Sequence, residues 1–184
     1  PMHRKRPLIT LLILSILLPI VATTSSADPL ATKQAWEAAI GKGARDNPAY
    51  AYVQDDPALP SVLIIGDSIS IAYTAPVREL LKGTANVHRI PVNGGNTQRG
   101  RDKIETWLRD KKWDVIHFNW GLHDIKRVNE NNKMDITKDK AVSPEAYKKN
   151  LRALVKRLQK TEASLIWAAT TPVPKGASDR TSVV

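Results

Sequence analysis

Three short stretches hold the residues best able to do chemistry. "SVLIIGDSIS", Ser61–Ser70, drives an apolar run straight into Gly66-Asp67-Ser68; "NGGNT", Asn93–Thr97, presents two glycines in a row; "NWGLHD", Asn119–Asp124, carries His123. A serine at the opening of a helix can attack an acyl carbon while its own N–H, in the positive field of the helix start, holds the developing oxyanion. Gly95 lets backbone approach a substrate and can offer a second N–H. The ring N–H of His123 can supply a third donor, one whose charge depends on pH. Plainer readings stand beside these. Gly-Asp-Ser also suits a simple turn or helix cap, and Asp67 reads as a structural acid bonding turn amides. Gly94 and Gly95 also suit a turn alone. His123 stays open between oxyanion donor, base and structural loop histidine. Asp124 reads as fixing its loop, and His88 and His117 as strand residues. No His/Asp/Glu spacing recommends a metal site, and no residue pattern calls for a cofactor.

The elements around these stretches decide between the readings. Val62–Ile65 is a continuous apolar run, as expected of a strand buried on both faces. Ile69–Leu81 follows as a helix ended by Gly83, with Pro76 predicting a kink or a late start. Val87–Val92 is a second strand and Thr97–Leu108 a second helix, packing Ile104, Trp107 and Leu108. Asp114–Trp120 is a third strand. Ser143 and Pro144 open a helix reaching Gln159, with Tyr147, Leu151, Leu154, Val155 and Leu158 on one stripe. Ala163–Thr170 is a fourth strand. Ahead of them, Asp28 and Pro29 suit the start of a helix that turns Trp36, Ala39 and Ile40 inward, and the stretch from Gly41 to Pro60 is loop. The polar run Lys126–Val142 is the one long connection, with a lid left open. Strand and helix in alternation imply parallel strands with right-handed crossovers, hence a layered α/β domain. In such sheets ligands bind beyond the carboxyl ends of the strands, and all three chemical stretches fall at those ends. Trp120, beside them, is open as a pocket wall or sugar platform.

The 184 residues suit one ordinary domain with a core, at 42% hydrophobic content. Arg4-Lys5-Arg6, an uncharged run from Pro7 to Ala22 and a small-residue stretch ending at Ala27 form the three-part pattern of a secretory signal. Residues 1–27 are therefore expected to be a signal peptide cut near Ala27–Asp28, with an uncleaved anchor as the alternative. A secreted or periplasmic location and no stable membrane association after cleavage follow as expectations. The sequence contains no cysteine, which excludes disulfides. The formal charge of +10 falls to +7 without the signal. The remaining cations are scattered rather than striped among aromatics, which argues against a nucleic-acid partner and for a solvated surface attracted at most to acidic polymers. Pro1 ahead of Met2 and the closing "TTPVPKGASDRTSVV" read as cut ends.

Taken together, Gly66-Asp67-Ser68, Gly95 within "NGGNT" and Gly121–Asp124 resemble the motifs of the SGNH (GDSL) hydrolases, from about Pro60 to Pro174. The resemblance implies a flavodoxin-like three-layer fold with a parallel sheet and a serine esterase with Ser68 as nucleophile. It also implies Gly95 as oxyanion donor and His123 at the position where the family has an asparagine donor. The family's base lies in an Asp-x-x-His motif near the C-terminus. The closing stretch holds none: Asp179 is its only Asp, and Ser182 stands three residues on. The expected organisation is thus a signal peptide (1–27), an N-terminal helix and connecting loop (28–60), and an SGNH hydrolase domain (61–184) lacking its last strand and helix. The expected activity is hydrolysis of carboxylic esters through an acyl-enzyme, with acetyl or short acyl groups on a small-molecule or polysaccharide substrate. The alternative is a non-catalytic glycan-binding module on the same fold.

Overall fold

The computed structural model describes residues 28–131 and 133–173. The expected signal peptide and the stretch around Asp179 lie outside the described residues. Among those described, no helix is long and apolar enough to cross a membrane.

Among the described residues, four parallel strands form the sheet: β1 (Ser61–Ile65), β2 (Asn86–Arg89), β3 (Val115–Phe118) and β4 (Ser164–Trp167), in the order β2-β1-β3-β4. This is the flavodoxin-like order through four strands. Register sets Leu63 beside His88 and Ile116, and Ile64 beside Arg89 and His117, so alternate rows face opposite layers. One layer is α3 (Thr97–Leu108) and α4 (Pro144–Gln159). Their Ile104, Trp107, Leu108, Leu154 and Leu158 close over Leu63, Ile65, Ile116 and Phe118. The other layer is α2 (Ser68–Leu80), which reaches the sheet through Tyr73 against His117 and Ser70 against Arg89. Outside α2 sits a smaller cluster of Trp36, Ile40, Ala49 and Tyr50, with Ile71 of α2 against it.

Several boundaries differ from the sequence expectation for physical reasons. The first helix, α1, spans Lys33–Ala39 and is capped by Thr32, whose hydroxyl accepts from the Ala35 amide at 3.1 Å. Asp28 does not cap it. Its carboxylate accepts from the Leu30 amide and pairs with Arg109 at 3.1 Å, a partner from the end of α3. β2 stops at Arg89 because Pro91 has no N–H to continue the ladder. β3 and β4 are likewise shorter than their apolar runs. Pro76 leaves α2 unbroken from Ser68, one residue earlier than expected. α3 and α4 span the expected residues.

The two sheet edges are treated differently. Along β2 the segment before β1 acts as a strap: the Asn86 amide group donates to Asp56 O and Leu59 O, and its Oδ1 accepts from the Asp56 N–H. Arg78 of α2 donates to Val87 O at 2.9 Å. His88 Nε2 lies 2.6 Å from Asp55 Oδ1, and Lys111 holds the other oxygen of that carboxylate. β4 carries no such cover among the described residues, and Ile166 and Trp167 are 50% and 40% exposed.

The strap has a pH signature. Burial pushes the His88 imidazole down to about 4 against the pull of Asp55, with Arg109 and Lys111 adding to the lowering. Burial works to raise the Asp55 carboxyl, but the bonds and charges of Lys111 and His88 hold it below its ordinary value. An unfolded histidine titrates near 6.5. The stability owed to a neutral His88 is therefore present above that pH and lost as pH falls toward 4. Denaturant titrations at neutral pH and at about pH 4.5 should show the native protein losing about 2 kcal/mol more than a His88→Gln variant. Equal losses would show that His88 is not held neutral.

Candidate functional site

β1 delivers its chain directly into α2. Asp67 is the N-cap, its Oδ1 accepting from the Ile69 amide at 3.0 Å, and its carbonyl takes the first helical bond from Ile71 N. Ser68 is the first residue of the helix and is exposed. Its N–H precedes the first intrahelical donor and has no partner within the helix, which aligns it with the positive end of the helix dipole. Behind it, the Ser70 hydroxyl donates to Asp67 O at 2.7 Å and accepts from Arg89.

Arg89 had no signal in the sequence beyond an odd charge in an apolar strand. It is 1% exposed, donates to Ile90 O and Val92 O, and stacks its guanidinium 4.3 Å from the Tyr50 ring. Among the described residues no carboxylate pairs with it. Its charge thus stays unneutralised beneath the turn that carries Ser68. The same buried region holds the Tyr73 phenol above its ordinary value, through burial and then the charge of Asp67.

The second and third stretches are tied to the first through backbone. Gly94 N donates to Gly66 O at 2.9 Å, and Asn119 N donates to Ile65 O at 3.0 Å. Gly95 sits at φ +62° with its N–H given to Asn93 Oδ1 at 2.9 Å. A Cβ on Gly95 would lie 2.9 Å from Arg99 Cδ, so glycine here serves both the left-handed turn and the passage of the Arg99 stem. Asn96 caps α3 by accepting from the Arg99 amide. Asp124 fixes the third loop to that cap region: its Oδ1 accepts from Thr97 N at 2.9 Å and from the Thr97 hydroxyl at 2.5 Å. Burial raises the Asp124 carboxyl above its ordinary value, and the Thr97 bonds pull it back part of the way. Its Oδ2 is buried without a partner among the described residues.

Gly95 and His123 line one cleft of about 610 Å³, between the start of α3 and the third loop with the Lys126–Val142 connection. Ser68 is not among that cleft's lining residues; it stands on the neighbouring turn, joined to it through Gly66 and Gly94. The other two described histidines are engaged elsewhere. His88 belongs to the β2 strap, and His117 Nδ1 lies 3.4 Å from the Tyr73 hydroxyl. Trp120 cannot be a platform: it is 1% exposed, packed on Phe118 with Gly100 pressed against its ring. The Lys126–Val142 connection forms a short two-legged arm, bridging Arg127 to Lys140 and Val128 to Met134.

No family model matches the chain, and no curated protein matches it. Among solved structures, the chain is similar to an acetyl xylan esterase, AlAXEase, at 19% identity and a TM-score of 0.48. The likeness covers 58% of this chain and 56% of that one, so the chain spans little more than half the length of the esterase it matches.

Proposed function

We propose that the three strand-end loops form the reacting centre of a serine ester hydrolase. The observation that carries this reading is their convergence. Two backbone bonds, Gly94 N to Gly66 O and Asn119 N to Ile65 O, seat the second and third loops beside the turn of an exposed, helix-opening Ser68. The resemblance to SGNH hydrolases in the motifs of all three loops supports the same assignment.

In this reading Ser68 Oγ adds to the ester carbonyl carbon while a base takes its proton. The negative charge that grows on the carbonyl oxygen is met by the Ser68 N–H, and by Gly95 and His123 as further donors. Service from Gly95 requires its bond to Asn93 Oδ1 to open or to be shared. Collapse of the tetrahedral adduct expels the alcohol, which receives the proton, and leaves an acyl group on Ser68. Water, deprotonated by the same base, then releases the acid. The resemblance assigns that base to an Asp-x-x-His pair. Acetyl or short acyl groups on a carbohydrate are the substrates this reading names, in a secreted or periplasmic setting.

Trapping tests it. Full-length protein quenched in acid during turnover of p-nitrophenyl acetate should carry an acetyl group on the peptide containing Ser68. Turnover without acylation of that peptide would overturn the assignment.

A further inference from the structure

The cleft shared by Gly95 and His123 has an uneven charge. Arg99 and Lys103 stand one helical turn apart on α3, and Lys126 faces them from the third-loop wall. One carboxylate lines the same cleft, Asp102, and it accepts from the Gln98 side chain at 2.9 Å. Among the described residues, none of the three cations has an ion-pair partner. Cations elsewhere on and around α3 do have partners: Arg109 pairs with Asp28, Lys111 with Asp55, Arg157 with Glu105, and Arg101 donates to Asn150. The stem of Arg99 lies against Gly95, so its charge is anchored one turn from a proposed oxyanion donor. The opening turn of α3 adds a positive dipole end on the same wall.

From this arrangement we propose that the cleft takes an anionic oligosaccharide, placing a carboxylate-bearing sugar chain against the ester-hydrolysing loops. The proposal rests on the esterase reading for the role of those loops. The cations are distributed along two walls rather than gathered into one nest of donors. That spacing suits charges repeated along a chain better than one compact dianion. A volume of about 610 Å³ has room for sugar rings. Left unpaired at the surface, these cations attract a polyanion at little desolvation cost and set which ester-bearing polymer is drawn in. The scattered positive charge of the sequence thus acquires one local concentration where chemistry is proposed.

Calorimetric titration of full-length protein with oligogalacturonate, which carries no ester, tests the site apart from the reaction. It should bind at least about tenfold more tightly than a neutral xylo-oligosaccharide of equal length, and the preference should shrink as salt rises. The double variant Lys103→Glu/Lys126→Glu should weaken oligogalacturonate binding about tenfold. Lys42→Glu/Lys82→Glu makes the same change in net charge at exposed positions outside the cleft, and should weaken it less than about twofold. Equal affinity for the two sugars, or equal loss in the two double variants, would overturn the proposal. Acidic-sugar binding with the expected variant pattern but no acylation of Ser68 would support the cleft and overturn the esterase reading alone. Acylation of Ser68 without preference between the sugars would do the reverse.

Discussion

Alanine in place of Ser68 is expected to lower p-nitrophenyl acetate turnover by the full-length protein at least about 10³-fold. The size of the effect follows from the role: without the hydroxyl no acyl-enzyme forms, and only the donors around the carbonyl remain. The fold should not notice the change. Ser68 is exposed, and the capping of α2 belongs to Asp67, so stability should stay within about 0.5 kcal/mol of the native protein. Rate and stability are thus separable in one variant. Retained turnover in a folded Ser68→Ala protein would remove Ser68 from the chemistry.

The second large effect is structural and reaches the site from behind. Gly121 sits at φ +151°, and a Cβ there would have Thr170 Oγ1, Cγ2 and Cβ all within 2.9 Å. Thr170 cannot simply turn away, because its hydroxyl donates to Trp120 O and ties the chain after β4 to the third loop. Gly121→Ala should therefore cost about 2–4 kcal/mol in denaturant unfolding, combining overpacking with an unfavourable backbone angle. Thr170→Gly in the same chain should restore the steric part and leave the backbone part. Because His123 lies two residues beyond Gly121, ester turnover should fall in the single variant even where it remains folded. A Gly121→Ala protein as stable as the native one would show that the β4 extension is not packed on the third loop.

How much of this could be read from residues alone varies with the range of the interactions. α3 and α4 were legible to the residue because their caps are local: Asn96 and Ser143 bond amides three positions on. α1 was misplaced because its cap was decided at long range. Arg109 recruits the Asp28 carboxylate, and Thr32 takes the role that Asp28 could have filled. The gathering of the chemical stretches at one sheet edge was legible because parallel topology follows from alternation, and the loops inherit it. What each group does there was not. No pattern in "NGGNT" says that Asn93 holds the Gly95 amide, and none in β2 says that Arg89 lies buried under Ser70. Trp120, adjacent to the site in sequence, is closed over by Gly100, a residue of α3. The cationic cleft was the least visible feature. Arg99 and Lys103 look like ordinary solvated positions until Lys126 is brought opposite them from the third loop.

The strapped β2 edge has one more consequence, for how this sheet can grow. With Asn86, Val87 O and the Asp55 carboxylate already committed to the strap and to α2, that side is closed to further pairing. Extension is therefore directional: any added strand, from whatever source, must join at β4, alongside the loop ends that hold Asn119 and the third stretch.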